Sequence, residues 1–391
     1  MRFSLFLQIL AFVLTRVVLN TMLRMVYPFL PAFSRGLGVD LAAISTALTI
    51  RSTTGFFSPF LATIADLRGR KTGMLLGLTF FTLGAGLVYV WPVFPVFVLT
   101  LVLTVLGNSI FSPSMQAYIG DRVDYRWRGR ALAFTEFGWS LAFIAGIPVM
   151  GFLIARADWR APFLFLAGCG LAAVFLLSWL VPRDEPKPDA QREPVLGNLR
   201  KIAAYPPALA GLLLGLLFNA GNEVVNVVFG VWMESSFGLQ IAALGAASAV
   251  IGFSELGGEV LAGGLSDFLG KSRSLVLGLA VNSLAVLALP LISRSLTGAL
   301  IGLFLYYLTY EFTLVCSIPV MTEVFPAARA SMMALFIAGT SLGRGVGALF
   351  AAPLYDLLPS ISGNVIGTLF VNLLAFVVLS RVFRRVNEPA L

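Results

Sequence analysis

A chain of 391 residues with 58% hydrophobic and only 12% charged side chains, and a mean hydropathy of +0.92, is not a soluble globular protein, where charged residues make up about 25%. The net charge of +8 does not point to nucleic acid, because the cations sit in short loops between apolar runs. There is no His, and Cys169 and Cys316 both lie inside apolar runs, so neither a disulfide framework nor a metal site is expected, and proton chemistry falls to carboxylates.

In chain order, the first predicted span covers 5–32. It is too long for a cleaved signal peptide and lacks a small-residue cleavage site, so it is expected to act as the insertion signal itself. Arg16, Asn20 and Arg24 recur every four residues and share one face of it. The second span, 41–64, carries Arg51 and runs into Ala65-Asp66-Leu67-Arg68-Gly69-Arg70-Lys71. There the Gly permits a tight turn, Asp66 is expected to cap or face a helix N-terminus, and the cation to pair with a carboxylate of a neighbouring helix. Spans 73–91 and 95–119 follow, the latter ending Ser112-Pro113-Ser114 with Asp121 and Arg130 beyond. The fifth, 131–155, holds Glu136 and Gly146-Ile147-Pro148-Val149-Met150-Gly151, and the sixth is 161–181.

Residues 182–206, opening Pro182-Arg183-Asp184-Glu185-Pro186-Lys187-Pro188, are the only extended polar stretch and are read as a cytoplasmic linker. It separates an N-terminal bundle, 1–181, from a C-terminal bundle, 207–391. The seventh span, 207–233, carries Asn219, Asn222, Glu223 and Asn226 as one polar stripe. The eighth, 241–264, carries Glu255 and Glu259 and leads into Gly263-Gly264-Leu265-Ser266-Asp267-Phe268-Leu269-Gly270-Lys271. Spans 274–292, 297–321, 330–352 and 362–382 complete twelve, with Tyr306, Tyr307, Tyr310 and Glu311 in the tenth and Arg344 in the eleventh. The three Tyr are read as packing that offers stacking surface.

Asp66 and Asp267 stand about two hundred positions apart, each followed three residues later by Gly and then a cation. Asp121 with Arg130 recurs as Glu323 with Arg329 at nearly the same offset. These matches predict an all-α membrane protein of twelve helices in two pseudo-symmetric six-helix bundles. With both termini inside, cytoplasmic segments hold nineteen Lys and Arg against four outside (Arg35, Arg156, Arg160, Arg294), a bias that fixes orientation and lets the inner face meet anionic lipid.

The first loop resembles the inter-helix motif of the major facilitator superfamily, Gly-x-Leu-Ala-Asp-Arg-x-Gly-Arg-Lys. It matches at Asp66, Gly69, Arg70 and Lys71, with Ala62 and Leu67 departing from it; the second loop matches at Gly263, Leu265, Asp267, Gly270 and Lys271. The resemblance covers the whole chain. It implies the major facilitator fold, a rocker-switch transporter and not an enzyme, with helices 1, 4, 7 and 10 lining a central site. The fifth span is similar to part of the Gly-Pro-x-x-Gly-Gly signature of drug:proton antiporters, matching at Pro148 and Gly151, although the family's Arg in the fourth helix has no counterpart within Leu101 to Ser112.

Arg16, Arg51 and Arg344, with Arg24 further out, and Glu223, Glu255 and Glu311 fall deep within predicted spans, where a charge costs about 2.5–3.5 kcal/mol on insertion scales. Glu136 and Glu259 lie nearer the cytoplasmic side. Such groups are expected to face the interior, as substrate or proton ligands or as structural ion pairs. The reading is a monomeric secondary transporter of the plasma membrane, exporting small amphipathic molecules with protons as coupling ion and with no cofactor. Glu223 or Glu311 would carry the proton, with burial against a nearby Arg setting its occupancy. A lipid or lysolipid translocase, or an organic-anion importer, is the alternative. A non-transporting membrane sensor ranks last.

Overall fold

Within hydrocarbon the backbone finds no water, so each span must satisfy its own N–H and C=O groups. The computed structural model of this chain describes residues 3–57, 69–182, 205–324, 329–358 and 360–386, and every regular element among them is helical. Contacts divide the chain into two units, Met1–Pro188 with Gly238–Gly252, and Asp189–Phe237 with Phe253–Leu391. The predicted linker falls almost wholly outside the described residues.

The first unit begins with α1 (Phe3–Arg24) and α2 (Val26–Leu37), read from sequence as one span. The break at Met25 has a simple cause: Pro28 has no N–H to offer the carbonyl of Arg24, and its ring crowds that turn. Then come α3 (Leu41–Gly55), N-capped by the Asp40 carboxylate at 2.8 Å from the Ala43 N–H, α4 (Arg70–Val90), α5 (Phe94–Arg122) and α6 (Tyr125–Leu141). A π turn, Ala142–Gly146, joins α6 to α7 (Ile147–Arg156), and α8 (Ala161–Leu180) follows. In the α7–α8 turn, burial pushes the Asp158 carboxyl up. The hydrogen bonds and charge of Arg160 and the Ala161 N–H outweigh that and hold it below the ordinary value.

The second unit holds α9 (Pro206–Phe237), the part of α10 (Ile241–Leu269) beyond Gly252, α11 (Lys271–Ile292), α12 (Leu296–Val324), α13 (Arg329–Leu357) and α14 (Ser362–Val386); the residues of α10 to Gly252 fall in the first unit. Eleven described helices are long and apolar enough to cross a membrane. The predicted second span, 41–64, is described only to residue 57.

Four described glycines have left-handed φ, and they fall as two pairs about two hundred residues apart: Gly38 (67°) with Gly238 (65°), and Gly69 (95°) with Gly270 (84°). A side chain would be strained at each. Gly69 and Gly270 hold the N-cap positions of α4 and α11, so neither Asp66 nor Asp267 is the N-cap residue of those helices. Asp267 belongs to the last turn of α10, and Asp66 lies outside the described residues.

Close helix contact rests on small residues, as expected where lipid removes any hydrophobic drive between helices. In the first unit α4 meets α5 at Gly77 and Gly107, where a Cβ on either would stand 2.5 Å from the other's carbonyl oxygen. In the second, Gly339, Gly343 and Gly347 of α13 lie successively on the carbonyls of Leu212, Leu216 and Ala220 of α9. That four-residue register on both partners means the two helices run in the same direction. Gly343→Val is therefore expected to cost about 3 kcal/mol or more, since a backbone carbonyl cannot move aside cheaply. Thermal unfolding in detergent should show a midpoint lower by roughly four degrees.

Candidate transport site

In the first unit the α1 stripe meets α6 and the π turn. Gly138 allows the approach: a Cβ there would stand 2.7 Å from the Arg16 Cβ. Arg16 donates from Nη1 and Nη2 to Oε1 and Oε2 of Glu136, at 2.5 and 2.9 Å. This two-point geometry is the strongest an Arg and a carboxylate can adopt. The Arg16 side chain is 4% exposed and that of Glu136 40% exposed, so one end of the pair is dry and the other wet. One turn and then two turns along α1 lie Asn20, with no exposed surface, and Arg24, whose guanidinium lies 4.7 Å from the Trp139 ring centre and 4.4 Å from that of Phe143.

Arg51 does something else. It donates to the Leu23 carbonyl at 2.8 Å and the Tyr27 hydroxyl at 2.6 Å, bracing the break between α1 and α2 from α3. Sequence reasoning missed Tyr27, and it missed Trp139 and Phe143, although these two follow Glu136 at helical spacings of three and then four.

In the second unit the α9 stripe faces α12. Tyr310 donates to Asn219 Oδ1 at 2.9 Å, Tyr307 to Asn226 Oδ1 at 2.5 Å, and Asn222 Nδ2 donates to the Tyr306 hydroxyl at 3.4 Å. Asn226 closes the row by donating to Asn222 Oδ1 at 2.7 Å. The three Tyr, taken from sequence as packing, are thus the amides' hydrogen-bond partners, while Tyr310 also stacks on Phe218 at 4.7 Å. Arg344 Nε reaches Asn219 Oδ1 at 3.5 Å.

Glu223 has no exposed surface and packs where Gly347 lets α13 come near; a Cβ on Gly347 would stand 2.8 Å from the Glu223 Cβ. Arg344 and Tyr310 thus meet at Asn219, and Glu311 follows Tyr310 on α12. Glu136 and Arg51 have their partners elsewhere, in the first unit.

The loop cations Arg70 and Lys271 each meet a carboxylate of a neighbouring helix. Arg70 Nε lies 3.4 Å from Asp121 at the end of α5, and Lys271 Nζ lies 2.7 Å from Glu323 at the end of α12. Both pairs are partly exposed and contribute about 0–1 kcal/mol. Lys71 instead donates to the carbonyls of Ser178 and Val181, both at 2.6 Å, at the C-terminal end of α8.

A family profile described as Major Facilitator Superfamily matches residues 12–305 and, in a second alignment, 211–391. The chain is 26% identical over 293 residues to an uncharacterised MFS-type transporter, YceJ, of Bacillus subtilis, covering 75% of each. It is 27% identical over 340 residues to the chloramphenicol resistance protein of Streptomyces lividans, covering 82% of this chain and 85% of that one. Its fold is similar to that of a bacterial homologue of the lysosomal transporter Spinster solved in an inward-facing, unoccupied conformation. That match has a TM-score of 0.78 and 16% identity, over 100% of both chains.

Proposed function

This chain belongs to the Major Facilitator Superfamily, and from that premise we propose that it exports small amphipathic organic molecules by alternating access, driven by protons. It is a multi-pass membrane transporter and not an enzyme. On this reading twelve spans form two six-helix bundles, residues 1–181 and 207–391, joined by a cytoplasmic linker at 182–206, with both termini cytoplasmic and the protein monomeric in the plasma membrane.

Glu223 carries the proposal. A carboxylate with no exposed surface, inside a membrane helix whose three stripe amides are already bonded to Tyr hydroxyls, is too costly to serve as filling. Ionisable groups so placed mark proton and ion pathways. The relationship to a chloramphenicol resistance protein supports export of drug-like molecules. Arg16 and Arg24 lie against aromatic rings, which suits a substrate with an apolar body.

Purified protein in proteoliposomes separates this reading from its rivals. An imposed pH gradient should drive accumulation of a lipophilic cationic dye, and a sodium gradient should not. Movement of a fluorescent lysolipid between leaflets, or gradient-driven uptake of an aromatic carboxylate in place of the dye, would transfer the assignment to a translocase or an anion importer.

A further inference from the structure

Asn20 is buried with no exposed surface, and neither its Oδ1 nor its Nδ2 has a hydrogen-bond partner among the described residues. Two other groups are in the same condition: Arg16 Nε on the preceding turn of α1, and the hydroxyl of Ser140 on α6. The register brings them together. Arg16 bonds Glu136 while Arg24 lies against Phe143, so α1 and α6 run in the same direction. Asn20 and Ser140 each stand one turn beyond the Arg16–Glu136 pair. The π turn Ala142–Gly146 follows at once, and such turns recur at functional sites.

A dry carboxamide without partners is a standing cost that a packing role alone does not recover. The chemistry left over at this point is specific. Both oxygens of Glu136 are taken by the terminal nitrogens of Arg16, so no carboxylate there awaits a cation. What remains is an N–H donor, a hydroxyl and a carboxamide that can give and accept side by side, next to the rings of Trp139 and Phe143.

We propose that Asn20, with Arg16 Nε and Ser140, forms a binding subsite in the first unit for a neutral group that presents a donor and an acceptor together — a secondary amide, urea or carbamate — carried on an aromatic body. The inference rests on the reading of the chain as a transporter of amphipathic molecules and names the substrate class for it. The carboxamide pairs with the ligand amide through two hydrogen bonds, Nε–H and the hydroxyl take the remaining polar edge, and the rings cover the apolar body. With the set fully buried here, a ligand enters when α1 and the π turn part.

Equilibrium binding to the full chain in lipid nanodiscs, with no gradient, tests this with three probes: chloramphenicol, its N-methylated amide, and tetraphenylphosphonium. Wild-type protein should bind chloramphenicol, and the N-methylated amide about tenfold more weakly or worse. Asn20→Leu should weaken chloramphenicol binding by about tenfold or more, leave tetraphenylphosphonium unchanged, and raise the thermal midpoint because the stranded amide is gone. Should the Leu variant fail to fold, Asn20→Ala carries the same expectations without added bulk. Failure of wild type to bind chloramphenicol, or a variant that gains stability with unchanged chloramphenicol affinity, overturns the proposal and leaves Asn20 a structural or water-bonded amide. Because no gradient is applied, a negative result for proton-driven export in vesicles would not alter these affinities, so the two readings fail separately.

Discussion

Glu223→Gln is expected to lower pH-gradient-driven transport by about a hundredfold or more while leaving the thermal midpoint nearly unchanged. Gln keeps the volume and the hydrogen-bonding reach of the carboxylate, so packing against Gly347 on α13 survives. The bonds that Asn219, Asn222 and Asn226 make to one another and to Tyr306, Tyr307 and Tyr310 do not involve this side chain. What disappears is the ability to take up and release a proton. Exchange of substrate down its own gradient should therefore persist, and the contrast between lost coupling and retained exchange separates a proton carrier from a substrate ligand. Full gradient-driven activity in the variant would remove Glu223 from the mechanism.

The Arg16–Glu136 pair should respond unequally to loss of its two members. Glu136→Ala leaves a guanidinium that is 4% exposed without its counter-charge, a situation that costs about 3 kcal/mol or more. Arg16→Met leaves a carboxylate that is 40% exposed and able to reach water, with a replacement that fills the same space among apolar neighbours, at about 1 kcal/mol. Combining Arg16→Met with Glu136→Ala should give a protein about as stable as Arg16→Met alone, because the stranded charge is gone. Reversible unfolding of the four proteins in detergent provides the cycle. Equal losses from the two single changes would mean that the dry and wet ends of the pair are not as different as their exposure implies.

Much of this was legible in the residues because membrane chemistry is restrictive. A span must be apolar for about 20 residues, so the helices and their order could be read directly, and the duplicated Gly–cation turns could be aligned by counting. That the loop cations meet a carboxylate of a neighbouring helix was legible as well; which carboxylate, Asp121 for Arg70 and Glu323 for Lys271, came from the structure. Helix ends were harder. The α1–α2 break needed Pro28 to be read as a missing donor within an otherwise unbroken apolar run. The Asp of the turn looked like a cap, yet Gly69 and Gly270 hold that position, because a left-handed entry leaves the N-cap to a residue without a side chain.

Which buried charge meets which was beyond reach, since partners lie on helices far apart in the chain and spacing fixes only the face a residue occupies. From sequence Arg16, Arg24 and Arg51 were expected alike to face the interior. The structure gives them three different jobs: an ion pair, an aromatic contact and a backbone brace. The Gly339, Gly343, Gly347 series was present in the sequence and could have been found by its period of four. The carbonyls of α9 that it meets carry no sequence signature, so the period alone does not name its partner.

Proton release on substrate binding is the most direct measurement of the central claim. Purified protein in weakly buffered detergent, at a pH where the coupling carboxylate is protonated, should acidify the medium when a transported cationic dye is added, and Glu223→Gln should bind the dye without doing so. Dye binding with no change of pH in the wild-type protein, or identical release from Glu223→Gln, would contradict the account.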